Sequence, residues 1–131
     1  MSIETVVERF FLAIEQGDVA VLQEIYSDDV EIWHNFSNVG QNKSDNIQNL
    51  LRARELAALK YEVTQRFVAG DTLVQRHIVQ LSPPDRPPSR LFAAIFITVR
   101  NGKIVHINEY LDPAQSVMAL SRAPDAKAGV Q

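Results

Sequence analysis

The chain has no cysteine, which excludes a disulfide framework, a thiolate zinc site and a cysteine nucleophile together. It also lacks a charge excess: 13 Lys and Arg against 16 Asp and Glu leave a net charge of −3. Without a basic surplus to displace phosphate counterions, no nucleic acid partner is expected. Long apolar runs are missing too. The opening MSIETVVERFF is interrupted by Glu4 and Glu8, so neither a secretory segment nor a membrane span is expected, and a cytoplasmic address follows. There is no internal repeat, and the one biased stretch runs from Ser82 to Ser89. Its prolines withhold the donors a ladder needs, so it reads as an exposed loop between strands.

What is present fits one domain: 131 residues, 46% hydrophobic and 22% charged, the ordinary balance of a globular chain. Ile3, Val7, Phe10, Phe11 and Ile14 recur at helical spacing, with Ser2 placed to cap and Glu4 near the positive end of the dipole. Gly17 ends that helix, and Asp18 caps a second from Val19 to Tyr26. From Val30 to His34 the pattern alternates, so Val30, Ile32 and His34 share a buried face and Trp33 takes the other. After a polar loop, Ser44 is expected to cap a third helix to about Leu59, with Ile47, Leu50, Leu51, Ala57 and Ala58 inward.

Strands then follow: Tyr61 to Ala69, a Gly70-Asp71 turn, and Thr72 to Leu81. Leu91 to Arg100 and Lys103 to Leu111 flank Asn101-Gly102, a hairpin signal because both residues tolerate positive φ. Pro113 opens a last helix to about Leu120, and residues 121–131 hold too few large apolar side chains to pack. The expectation is a single α+β domain over residues 1–120 with a loose tail. Its architecture is a cone-shaped, curved antiparallel sheet covered by three helices from the N-terminal half, a cystatin-like α+β barrel. Such a cone encloses an apolar cavity, the default site for a small molecule.

Strand parity nominates the residues of that site. If Val74 faces the cavity, so do Arg76 and Ile78; if Ile107 does, so do Glu109 and Leu111. An arginine and a carboxylate on neighbouring strands would pair there, since an unpaired buried charge costs several kcal/mol. The structural reading of Arg76 and Glu109 is a salt bridge, and that of His34 a strand-end histidine bonded to backbone. In the functional reading Arg76 orients and polarises, Glu109 acts as general base or acid, and His34 relays a proton or holds water. His77 and His106 have the other parity and are expected outward with Gln75, Asn108 and Tyr110. The three histidines are thereby divided, so neither a metal nor another cofactor is expected. The outward row Phe92, Ala94, Phe96 and Thr98 is too apolar to stay wet, which predicts a homodimer through the outer sheet face. Trp33 is expected to serve packing or that interface.

Two stretches, VVERFFLAIEQGDVAVLQEIYSDDVEI and VRNGKIVHINEYLD, together with the element order, resemble the nuclear transport factor 2-like superfamily over about residues 3 to 120. Within it the chain resembles the SnoaL-like, ketosteroid-isomerase-like and limonene-epoxide-hydrolase-like proteins. Matched on Asp28-Asp29, His34 falls where the isomerase-like members place a carboxylate base and the epoxide-hydrolase-like members an amide that positions water. Matched on Gly102-Lys103-Ile104, Glu109 falls on a catalytic aspartate of the epoxide-hydrolase-like members, and Arg76 on their arginine. Their remaining carboxylate would correspond to Ile78, and the oxyanion donors of the isomerase to Phe10 and Ile95, none of which supplies a proton. The resemblance implies a homodimer and a small lipophilic ligand, with cofactor-free acid–base chemistry on an apolar oxygenated substrate: isomerisation, hydration or hydrolysis, or cyclisation. The alternative it leaves is a non-catalytic ligand-binding or interaction protein of the same fold.

Overall fold

Local capping fixes where the helices begin and end. Ser2 accepts the Thr5 N–H and starts α1 (Ile3–Gln16); Gly17, at φ 69°, closes it by donating to the carbonyls of Ala13 and Ile14. Asp18 accepts the Val21 N–H and starts α2 (Val19–Ile25). The third helix differs from expectation. Asn42, not Ser44, accepts the Asp45 N–H, and α3 runs Lys43–Leu56. Ala57 is already extended at φ −164°, so Ala58 and Leu59 belong to the following strand and not to the helix. The computed structural model describes residues 1–112 and 114–115, and the last expected helix and the tail lie outside the described residues apart from Ala114 and Gln115.

The strands are β1 (Tyr26–His34), β2 (Gly40–Gln41), β3 (Ala58–Ala69), β4 (Thr72–Ser82), β5 (Ser89–Arg100) and β6 (Lys103–Leu111). They form one open sheet in the order β2-β1-β6-β5-β4-β3. The sheet is mixed where a wholly antiparallel one was expected: β1 lies parallel to β6, and every other pairing is antiparallel. β1 reaches the free side of the last strand through the long stretch that carries α3 and the two hairpins, and a parallel pair requires a long connection of that kind. Asn101 (φ 53°) and Gly102 (φ 74°) make the tight turn between β5 and β6. Register shifts in β1, β3 and the β5–β6 pairing are the points at which such a sheet bends.

The concave face takes the core. Val7, Phe10 and Ile14 of α1 and Leu22 and Ile25 of α2 bury against Ile32, Leu73, Ile95, Ile97, Ile104 and Ile107 of the sheet. This gives three helices on a curved sheet, an α+β architecture. Among the described residues α1, α2 and α3 all lie on the concave side, and Phe92, Phe96 and Tyr110 are exposed on the convex face. Among the described residues no helix is long and apolar enough to cross a membrane.

Candidate functional site

Sheet register assembles the polar groups of the concave face. Arg66 on β3 pairs with Gln75 on β4, Gln75 with Ile95 on β5, Ile95 with Glu109 on β6, and Glu109 with His34 on β1. Directly paired residues point to the same side of a sheet, so this row crosses five strands on one face. His77, two residues beyond Gln75, joins it.

The row ends in a carboxylate held by two imidazoles. His34 Nε2 lies 3.1 Å from Glu109 Oε1, and His77 Nε2 lies 3.6 Å from Glu109 Oε2. The side chains of His34 and Glu109 are 18% and 15% exposed, while that of His77 is fully buried. Burial pushes the Glu109 carboxyl up, but the adjacent His34 and then His77 rings outweigh it and hold the group down at about 2. An ionised carboxylate therefore sits at the edge of an apolar core. Beside it is a cavity of about 40 Å³, walled by Phe10, Ile14, Ile32, Tyr61 and Ile107, with room for a few waters.

Two phenols complete the walls. The Tyr26 hydroxyl donates to Asn46 Oδ1 at 2.6 Å, and Asn46 Nδ2 donates to Gln41 Oε1 at 2.9 Å. Burial first, then the neighbouring negative groups, pushes both Tyr26 and Tyr61 above the ordinary phenol range. They can act as donors but not as bases. Among the described residues no cluster of three or more His, Asp or Glu side chains has the arrangement of a metal site.

Of the three nominated residues, the structure brings His34 and Glu109 together and leaves Arg76 out. Arg76 is exposed on the convex face, where its Nε donates to Thr64 Oγ1 at 3.2 Å. Nor could it pair with Glu109 as expected, because β5 lies between β4 and β6. The inward face of β4 is Leu73, Gln75, His77, Val79 and Leu81, one residue out of step with the assumed face, and a slip of one inverts every side chain. The same slip explains why His77 and Gln75, expected outward, are buried, and why Ile78 lines a groove on the convex face with Arg76. His106, Asn108 and Tyr110 do lie away from the cavity, and Trp33 packs edge-on to Tyr110 at 5.3 Å.

Comparison with known proteins agrees with the fold. The SnoaL-like domain family matches residues 7–107. No curated protein matches the chain. Among solved structures it is similar to IdmH of Streptomyces antibioticus, a proposed polyketide cyclase, at TM-score 0.81 and 15% identity over 93% of this chain and 100% of that one. It is similar to an LEH-like epoxide hydrolase of M. tuberculosis at TM-score 0.74 and 15% identity, covering 96% and 90%. A SnoaL-like protein of Jannaschia sp., named as a proposed polyketide cyclase, aligns at TM-score 0.78 and 18% identity, covering 93% of each chain. Likenesses at such identities establish a shared fold and leave the reaction to be argued from the site.

Proposed function

The chain belongs to the SnoaL-like domain family, and from that premise we propose a cofactor-free acid–base enzyme acting on an apolar, oxygenated small molecule beside Glu109. The observation that carries the reading is the ionised Glu109 carboxylate at the edge of an apolar cavity, 3.1 Å from the His34 ring. When His34 is neutral and donates Nε2–H to Glu109, its Nδ1 is left to take a proton, and among the described residues no hydrogen bond occupies that atom. Glu109 then stabilises the positive charge that proton capture places on the ring, the division of labour of an oriented imidazole base. Protonated Tyr61 faces the same space and would donate to an oxygen of the substrate, whereas the one hydroxyl proton of Tyr26 is committed to Asn46. Arg76 has no part in this proposal.

A terpenoid, steroid or polyketide needs more room than about 40 Å³. The chain just after His34 is the element that would have to move, since Phe36 stacks beside the His34 ring at 5.3 Å and is itself 52% exposed. Phe10, Ile78 and Ile95, which supply no proton where the resembled enzymes place donors, favour a second reading, a ligand-binding protein that performs no chemistry. The convex face, with Phe92, Phe96 and Tyr110, supports pairing of two copies through their sheets.

Incubation with 5-androstene-3,17-dione, limonene 1,2-epoxide and an anthrone as probes separates the two readings. The enzyme reading expects product from one of them, with Glu109→Gln and His34→Ala each lowering turnover by roughly 10²- to 10⁴-fold. Full turnover in Glu109→Gln removes Glu109 from the chemistry. A probe that raises Tm and is recovered unchanged supports binding alone.

A further inference from the structure

Besides His34, Glu109 faces a fully buried ring that the proposed chemistry does not use: His77, whose Nε2 stands 3.6 Å from Oε2 and makes no hydrogen bond among the described residues. That ring is tied to the surface by a chain of side chains whose donors and acceptors can be assigned in order. Glu8 Oε2 accepts from Arg66 Nη1 at 3.2 Å. Arg66 Nε and Nη2 lie 2.8 and 2.6 Å from Gln75 Oε1. A guanidinium can only donate, so the Gln75 amide is oriented with its oxygen toward Arg66 and its NH₂ toward His77. That NH₂ is 2.9 Å from His77 Nδ1, which must accept. In a neutral imidazole the proton is then on Nε2, the atom facing Glu109 Oε2 at 3.6 Å.

We propose that Arg66, through Gln75, fixes His77 as the tautomer protonated at Nε2, which keeps an N–H dipole turned toward Glu109 and makes His77 a positioning residue of the site. The functional half rests on the proposed role of Glu109; the tautomer does not. Nε2 already carries its proton, and a proton added at Nδ1 would point at the N–H groups of Gln75. Proton exchange at Glu109 is left to His34. Among the described residues no competing partner meets the ring: His77 faces Tyr61 edge-on at 5.3 Å and Phe11 at 5.4 Å. The nearby acidic group of α1, Glu15, is engaged by the Tyr61 backbone N–H at 2.8 Å.

Two-bond ¹H–¹⁵N spectra of the full chain labelled at histidine read the tautomer directly at neutral pH, with His77 assigned from His77→Phe. The expected result is a bare Nδ1 and a protonated Nε2. Gln75→Glu turns the group facing Nδ1 into an acceptor and should protonate that nitrogen. Because Gln75 is buried, the more accessible Arg66 supplies a milder pair of variants. Arg66→Met frees the amide to turn over and should give mixed tautomers, whereas Arg66→Lys keeps a donor and the wild-type pattern. A protonated Nδ1 in the wild type, or one still bare in Gln75→Glu, overturns the proposal; an unmixed pattern in Arg66→Met removes Arg66 from it. If a probe turns over, Gln75→Glu should lower kcat roughly tenfold at unchanged KM, the equivalent of one hydrogen bond. Unimpaired turnover in Glu109→Gln would defeat the functional reading and leave the tautomer result standing.

Discussion

On the concave side of the sheet, His77 and Gln75 are 0% and 1% exposed and are tied into a polar chain that ends at Glu109; on the convex side, Phe92, Tyr110 and Phe96 are 56%, 46% and 40% exposed. The usual distribution, polar outside and apolar inside, is inverted at these positions on both faces. Burying a carboxylate and two imidazoles is tolerable only because each finds a partner, and exposing three rings leaves apolar surface free for another chain. The two departures are separated by one sheet thickness and one residue of sequence, since Arg76 and His77 are neighbours on β4 pointing opposite ways. The difference teaches why the proposed chemistry is placed on the face where polar groups had to be satisfied, and the proposed association on the face where apolar groups were not.

The sharpest way to break this comparison is acid. Glu109 titrates at about 2 in the folded chain, against 4.5 for an ordinary glutamate carboxyl. A carboxyl depressed on folding contributes stability that is fully present above its unfolded value and is lost as pH falls through the folded one. The shift corresponds to about 3 kcal/mol. Urea midpoints measured between pH 6 and pH 2 should fall for the wild type and fall less for Glu109→Gln, which has no carboxylate to protonate. Equal acid sensitivity in the two would mean that the concave face is not held by its ionised carboxylate.

On the convex face the expected effect is smaller. Phe96 lies 6.1 Å from Tyr110, and Tyr110 lies 5.3 Å from Trp33, so a charge at position 96 falls at one end of the aromatic row. Phe96→Asp should weaken the proposed pairing of two copies by roughly 10- to 30-fold, the scale of a moderate interface position. Sedimentation equilibrium measures it, with the His77 tautomer and Tm as controls that the concave face is untouched. A wild type that sediments as a monomer would rule out self-association through the exposed rings.

How much of this arrangement was legible follows from how local each signal is. Ser2, Gly17 and Asp18 cap the helices where they were read, and Asn101-Gly102 makes its turn, because each acts on backbone groups within a few residues. His34 and Glu109 were legible for a related reason: each follows an unbroken inward series, Val30-x-Ile32-x-His34 and Ile107-x-Glu109. In β4 both series are mixed. Thr72, Val74, Arg76 and Ile78 compete with Leu73, Gln75, His77 and Val79, and alternation alone does not choose. What decides is the β4–β5 register, which places Gln75 opposite Ile95; these strands are joined by the proline-rich loop, whose chemistry prescribes no pairing. The third helix was misread by two residues at its start, because Asn42 and Ser44 are both able caps. The parallel pairing of β1 with β6 joins residues more than 70 positions apart, and no periodicity within either strand announces it.

The two arginines closest to this ambiguity sharpen the comparison with the smallest effect of all. Arg76 is exposed and reaches Thr64 through one bond of 3.2 Å. Arg66 makes two bonds to Gln75 and one to Glu8, and its side chain is only 20% exposed. Removal of an exposed arginine held by a single neutral acceptor changes stability by no more than about 0.5 kcal/mol. Arg76→Ala should therefore leave the urea midpoint, the tautomer of His77 and any turnover near their wild-type values, whereas Arg66→Met alters the tautomer. If Arg76→Ala instead abolished turnover while Arg66→Met did not, the working face of β4 would be the convex one. Glu109, on the opposite side of the sheet and with β5 between, could not then be its partner.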